Sequence, residues 1–470
     1  MVNNFKNKKI LVMGLGLHGG AAAVVKWLLK KQALLTVTDL KNAKELKMSL
    51  DKLKQAPHSS TIKYTLGQHK MDDFIKQDLI IQNPGVPANS QYLTKARSLG
   101  IPIINEAVLF FGLYLGKVIG VTGTRGKSTT STLIHHILKT KIKNNVIAGN
   151  IATNPMLNVL DKLSLWSWPV LELSSWHLEG LRDYKISPQI AVVTNVLNDH
   201  LNRYKNFNEY KNSKQAIVQH QKKGDYVVLN ADNKFTKQFS KKAKAKVYFF
   251  SLKSKIRGSY LADGWVYFFD KKRKEKIMPV DDVKLLGQHN LANVLAAVTV
   301  AKLVGISNHN IKRAVGRFHG LEYRLQYKGH LKNLAVFNDA TSTTPDATLA
   351  ALNAFKKSSV ILIAGGEDKK LDYYQLAKQI KKKVSKLFLL SGSASQKLIK
   401  ELKKVEYPSQ KMIININTLE KAWSLALKSA GSYDQCLLFS PAAASFNMFV
   451  NEFERARLFD KLFYDQKKKK

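Results

Sequence analysis

One segment limits the fold of this chain more than any other. Lys117 to Thr122 (KVIGVT) is a short apolar run, Gly123-Thr124-Arg125-Gly126-Lys127-Ser128-Thr129 follows, and Thr130 to Leu138 reads as an apolar helix. A strand that passes through a glycine-rich turn into a helix points backbone N–H groups at phosphate oxygens, and the helix N-terminus adds partial positive charge. In such a loop Lys127 reaches the β/γ-phosphates and the Ser128 hydroxyl ligates Mg²⁺. Val121 stands where the strict G-x-x-x-x-G-K-S pattern has its first glycine, so the loop is a variant.

Other chemistry-bearing residues fall where an α/β sheet would gather them. Glu172 sits at the end of the run Val170–Leu173, and Asp199-His200 follow the run Ile190–Thr194. Ligands collect at the carboxyl ends of strands in open parallel sheets. Glu172 and His200 would then join Lys127 and Ser128 at one rim, a donor set suited to divalent ions beside ATP phosphates. A lone histidine after a strand is more often structural; the phosphate loop shifts that balance for His200. Lys214 lies in an expected helix (EYKNSKQAI) and by spacing alone is one surface lysine among many. Asn290 and Asn293, at the head of the helix Leu291–Val304, are three apart and share a face; helix capping and contact with a base edge are both open readings.

Upstream, Gly14-Leu15-Gly16-Leu17-His18-Gly19 follows the run Ile10–Met13 and matches G-x-G-x-x-G, with Asp39 closing the next strand, Leu34–Thr38. On its own this is a weak dinucleotide signal. Given the second nucleotide site downstream, another diphosphate-bearing molecule is the preferred occupant. Leu79–Gln82 adds a further strand, and the α/β pattern restarts near 117 and again near 326. In the middle segment Tyr226–Leu229 reads as a strand, and residues 244–282 read as antiparallel hairpins. Ala335–Asp339, Val360–Ala364, Leu387–Leu390 and Gln435–Phe439 read as strands of the last unit. The expected domains are 1–116, 117–325 and 326–470, three α/β units in series.

Composition narrows the class. Lys plus Arg is 76 against 34 Asp plus Glu, a net charge of +42, and 45% hydrophobic residues exclude a mainly disordered chain. The charge invites a nucleic-acid-binding reading, yet no RNP-like aromatics, zinc-finger spacing or basic heptads accompany it. Lysines spread over every surface are the plainer explanation, and so basic a surface also suits peripheral contact with anionic membranes. Cys436 is the single cysteine, which rules out an internal disulfide and fits a reducing compartment. No apolar run reaches the roughly 18 residues of a membrane span, and the polar opening MVNNFKNKK does not read as a signal peptide. A cytoplasmic protein is expected.

Together the motifs GTRGKST (123–129), ELSSWHLEG (172–180), TNVLNDHLNRY (194–204), GQHNLANVLAA (287–297), GLEYR (320–324), NDATSTT (338–344), AGGEDKKLD (364–372) and SPAAASF (440–446) resemble the Mur ligase family. The resemblance spans nearly the whole chain. It implies a Rossmann-like N-terminal domain for the UDP-sugar, a central P-loop ATPase domain and a Rossmann-like C-terminal domain for the amino acid. It implies a monomeric ATP- and Mg²⁺-dependent ligase of peptidoglycan precursor synthesis, joining D-glutamate to UDP-N-acetylmuramoyl-L-alanine through an acyl phosphate. A relative with another acceptor or amino acid, including a folylpolyglutamate-type ligase, is the competing reading; a basic nucleic-acid binder is the competing class. The resemblance gives Lys127 to the transferring phosphate, Ser128 and Glu172 to one Mg²⁺, His200 to a second ion, and Lys214 to a metal-bridging carbamate. Gly123, Thr124, Arg125, Gly126, Thr129, Asn290, Asn293, Arg324 and Asp339 complete the ATP site. Leu17, His18, Asp39, Lys41, Asn83, Gly85, Asn150 and Ser174 would face the UDP-sugar substrate, and Thr343, Lys369, Ser440 and Phe446 the glutamate. The chain departs from the family pattern at Arg125, where Asn is usual, and at Trp176-His177, where Phe-Gln is common.

Overall fold

The computed structural model describes all residues except 1–3, 18, 88, 152–153, 200–202, 271–272, 356–358, 432–434, 447 and 469–470. Its strands form three sheets. The first comprises β1 (Lys9–Met13), β2 (Leu34–Asp39), β3 (Lys63–Leu66), β4 (Leu79–Gln82) and β5 (Ile103–Ile104), in the order β3-β2-β1-β4-β5 with every pair parallel. The second comprises β6 (Ile119–Thr122), β7 (Ile147–Gly149), β8 (Val170–Glu172), β9 (Ile190–Val193), β10 (Tyr226–Asn230), β11 (Lys246–Ser251), β12 (Gly258–Ala262), β13 (Trp265–Asp270) and β14 (Arg273–Pro279), in the order β14-β13-β12-β11-β10-β9-β6-β8-β7. The third comprises β15 (Gln326–Leu331), β16 (Leu334–Asn338), β17 (Ser359–Gly365), β18 (Val384–Leu390), β19 (Met412–Ile416) and β20 (Gln435–Phe439), in the order β15-β16-β20-β17-β18-β19. Contacts divide the chain into two compact units, Met1–Asp282 with Ala292–Val315, and Val283–Leu291 with Gly316–Lys470.

Parallel strands covered on both faces read as continuous apolar runs, because alternate residues enter different cores. In β1, Ile10 and Val12 join one core cluster while Leu11 and Met13 join the other. In β17, Val360, Leu362 and Ala364 pack on one face and Ile361 and Ile363 on the opposite one. β20 does the same with Cys436 and Leu438 against Leu437 and Phe439, and burial pushes the Cys436 thiol up to about 12.

The structure corrects the segment 244–282. β11 pairs parallel to β10, and β12 parallel to β11; only β12, β13 and β14 form an antiparallel meander. Alternation of apolar and basic residues fixes which side chains point inward and carries no information on strand direction.

Candidate active site

The phosphate loop forms as its sequence demands. β6 ends at Thr122, and the helix Lys127–Leu138 begins directly after Gly126, one turn earlier than the apolar residues alone suggest. Gly126 has φ +81°, and a Cβ there would come within 2.5 Å of Asn293 Oδ1, so only glycine fits. Gly123, at φ +150°, lies against the Thr194 side chain too closely for any Cβ. The loop leans on the segment after β9. Thr194 Oγ1 and Asn195 Nδ2 donate to Arg125 O at 2.6 and 3.1 Å, and Arg125 N donates to Asn195 Oδ1 at 2.9 Å. The guanidinium of Arg125 lies 3.4 Å from Asp199, which gives the departure from Asn a local partner.

Two lysines meet at the first glycine. Lys127 Nζ and Lys214 Nζ each donate to Gly123 O at 3.0 Å. Lys214 comes from the helix Phe207–Gln219, is 2% exposed, and has its amine 4.8 Å from the centre of the Tyr210 ring. Burial pushes that amine well below the usual lysine range, and the charge of Lys127 adds to the effect. The surface-lysine reading that spacing gave Lys214 is therefore overturned: the helix turns this lysine inward.

Glu172 arrives from the neighbouring strand. β8 pairs with β6 so that Glu172 stands beside Val121, just before the loop. It is 2% exposed; Oε1 accepts from Asn150 Nδ2 at 3.1 Å, and Oε2 is buried with no hydrogen-bond partner. A buried, unpartnered carboxylate oxygen is costly unless something occupies it. Oxygen donors suit a hard divalent cation, so Glu172 fits the Mg²⁺ role. His200 lies outside the described residues. Asn293 Oδ1 accepts from Thr130 Oγ1 at 3.2 Å, bracing the phosphate-loop helix. The helix starts at Gln288, so Asn290 lies inside its first turn, and its Nδ2 donates back to Leu286 O at 2.8 Å.

After β8, Ser174 caps the helix Ser175–Asp183, and His177 closes a capping box with it. Burial lowers His177 to about 4, so the ring is neutral and its Nδ1 accepts from Ser174 N. The Trp176-His177 departure thus preserves the cap through a different side chain.

Strand ends also gather the first-domain candidates. Asp39 Oδ2 accepts from Gly16 N and Oδ1 from Lys41 N, both at 2.9 Å. Asn83 Nδ2 donates to Gly14 O at 2.8 Å, and Gly85 N donates to Asn83 Oδ1. Leu17 is 42% exposed; His18 lies outside the described residues. A cavity of about 410 Å³, lined by Asn83, Pro84, Ile103, Trp176, Glu179 and Arg203 among others, adjoins these loops.

In the C-terminal unit, Lys369 Nζ donates to Thr343 Oγ1 at 3.0 Å and Ser440 Oγ to Asp339 Oδ2 at 2.6 Å, while Phe446 is 72% exposed. Asp339 is buried, also takes Ser342 Oγ and Leu325 N, and burial raises it to about 6. Arg324 is exposed.

Three family models match in chain order: Mur ligase MurD-like, N-terminal domain (residues 8–105), Mur ligase middle domain (121–301) and Mur ligase, glutamate ligase domain (323–442). The chain belongs to the Mur ligase family. Among its relatives, the UDP-N-acetylmuramoylalanine–D-glutamate ligase of Roseiflexus sp. (strain RS-1) is 38% identical, over 97% of this chain and 98% of that protein. The protein of the same name from Koribacter versatilis (strain Ellin345) is 36% identical over 97% of each. In fold, the chain is similar to the UDP-N-acetylmuramate-alanine ligase of Thermotoga maritima, with a TM-score of 0.60 at 18% identity over 98% and 100% of the two chains. It is also similar to the MurF ligase of Thermotoga maritima solved with ADP, with a TM-score of 0.56 at 16% identity over 98% and 96%.

Proposed function

We propose that this chain joins the carboxylate of UDP-N-acetylmuramoyl-L-alanine to the amine of D-glutamate at the expense of ATP. The observation that carries the reading is the convergence of Lys127 and Lys214 on Gly123 O, with Glu172 on the adjacent strand. The γ-phosphoryl group passes to a carboxylate oxygen of the acceptor, giving ADP and an acyl phosphate. The glutamate amine then attacks the acyl carbon, the tetrahedral intermediate expels inorganic phosphate, and the amine proton leaves to solvent.

Two anions must meet for the first step. Lys127 counters phosphate charge, and the loop N–H groups orient the transferring group. Ser128 and Glu172 would hold one Mg²⁺, and His200 a second; bound Mg²⁺ neutralises charge on the phosphates. Lys214 would serve as a carbamate: its neutral amine adds to CO₂ with loss of a proton, giving a group whose single negative charge is shared by two oxygens. Asn150, through its bond to Glu172, links the carboxylate to the acceptor. Leu17, His18, Asp39, Lys41, Asn83, Gly85 and Ser174 would serve the UDP-sugar. Asn290, Asn293, Arg324 and Asp339 would serve ATP, and Thr343, Lys369, Ser440 and Phe446 the glutamate.

The test is phosphate release by the purified protein with ATP, Mg²⁺ and UDP-N-acetylmuramoyl-L-alanine. D-Glutamate should stimulate release and L-glutamate should not. Release that D-glutamate leaves unchanged would overturn the reading.

A further inference from the structure

Asp339 and Arg455 are charged residues buried in the C-terminal unit, and both act on the same pair of loops. Arg455 is 1% exposed and lies in the first turn of the helix Glu452–Lys468. That helix is anchored further along by Phe459 and Phe463, with Phe459 stacked on Phe439 at 4.9 Å and edge-on to Trp423. Anchored in this way, the helix carries the guanidinium to the carboxyl ends of β16 and β20. Its Nε and Nη2 donate to Ala340 O at 3.1 and 2.8 Å, and Nη2 also donates to Ala443 O at 3.1 Å.

These carbonyls belong to the loops that bear Thr343 and Ser440. The loops are cross-tied by Ala442 N to Ser342 O and by Ser440 Oγ to Asp339 Oδ2. Ala442 sits at φ +61°, a strained conformation for alanine that surrounding bonds must hold. Burial lowers Arg455 to about 10, with Glu452 and Asp339 acting in the opposite direction. A buried cation persists only where it is well hydrogen-bonded, and three donations to main-chain carbonyls meet that need.

We infer that Arg455 is a positioning residue for the amino-acid substrate, clamping the Ala340–Thr344 and Ser440–Phe446 loops in the register that receives it. The inference rests on the proposed assignment of these loops to glutamate. Arg455 touches no substrate in this scheme; it fixes the two carbonyls, and through them the loop side chains. A planar guanidinium spans both carbonyls, whereas a lysine ammonium in its place reaches one.

The experiment is steady-state kinetics of Arg455→Met and Arg455→Lys with D-glutamate and ATP varied separately, alongside urea unfolding. Arg455→Met should raise KM for D-glutamate about tenfold or more while KM for ATP stays within about twofold, and Arg455→Lys should fall between it and the parent. If Arg455→Met does not fold, Arg455→Lys carries the same comparison. Both Michaelis constants rising together, or a lowered urea midpoint with KM for D-glutamate unchanged, would overturn the inference. Lys369→Ala separates the two levels of the argument. A raised KM for D-glutamate there, without one in the Arg455 variants, overturns the positioning role and leaves the proposed function standing. Absence of D-glutamate-dependent turnover in the parent protein overturns both.

Discussion

At the residue scale, the site divides by what a linear sequence can encode. Lys127 and Glu172 were legible because each sits at a fixed offset from a strand end, and strand ends are where open sheets bind ligands. Lys214 was legible only through the family resemblance; its contact with Gly123 O spans 91 residues and depends on how a helix is rolled. Arg455 gave no signal, since an arginine in a charged terminal helix reads as solvated surface. If Lys214 supplies anionic oxygens, Lys214→Ala should lower D-glutamate-dependent phosphate release by about 100-fold and regain part of it with formate or acetate. No recovery in a variant whose circular dichroism matches the parent would argue against the carbamate. Glu106 offers a test of burial that is independent of catalysis. It is 7% exposed, accepts from Leu157 N, and burial raises it from the ordinary 4.5 to about 7. The folded state therefore keeps a proton that the unfolded state has released, so this group's contribution to stability falls as pH rises from about 4.5 to about 7. Glu106→Gln cannot ionise. Its stability relative to the parent should shift in its favour by about 2 kcal/mol or somewhat more between pH 5 and pH 8, read from urea midpoints. The comparison is with the variant because Asp339, raised to about 6, and His177, lowered to about 4, bend both curves alike. Parallel curves would show that Glu106 ionises normally.

At the element scale, buried parallel strands announce themselves, and edge elements do not. β1, β9 and β20 were found because both their faces are covered. β19 (MIINI) was missed because Ile413 and Ile414 are 41% and 42% exposed and its neighbours break the pattern. β5, two residues long, is too short for any periodicity. One helix contact carries a prediction of its own. Asn105 caps the helix Glu106–Leu113 by accepting from Val108 N at 3.0 Å, and its Nδ2 donates to Trp176 O and His177 O at 3.0 and 3.2 Å. Gly180, on the helix Ser175–Asp183, lets that amide in: a Cβ at Gly180 would overlap Asn105 Nδ2. Gly180→Ala sets two effects against each other. Alanine gains roughly 1 kcal/mol in helix propensity. Displacing Asn105 loses a cap worth roughly 1 kcal/mol and takes its buried amide from its two acceptors at roughly 1–3 kcal/mol more. The loss outweighs the gain, so the variant should unfold about 1–3 kcal/mol more easily in urea. A variant as stable as the parent would mean that the amide swings aside without losing its bonds.

At the scale of the whole molecule, the charge becomes a property of stability. The proposed substrates are anions, and a positive field speeds their capture. The proposed mechanism asks for only a few cations, among them Lys127, Lys369 and Arg324. With 34 acidic side chains against 76 basic ones, one-to-one pairing would leave 42 basic side chains over. Many of the pairs that do form are surface pairs, such as Lys54 with Asp51 and Lys8 with Asp78, which hold the fold only weakly. Folding draws the unpaired cations together, whereas the unfolded chain spreads them apart, so repulsion is greater in the native state. Salt at about 0.1 M shortens the reach of charge to about 10 Å and should relieve the native state more than the unfolded one. It also weakens the surface pairs, but these are fewer and individually small. The urea midpoint should therefore rise steadily as NaCl is increased from about 0.02 M to about 0.5 M. A midpoint that stayed level or fell would mean that the surface pairs outweigh the excess charge.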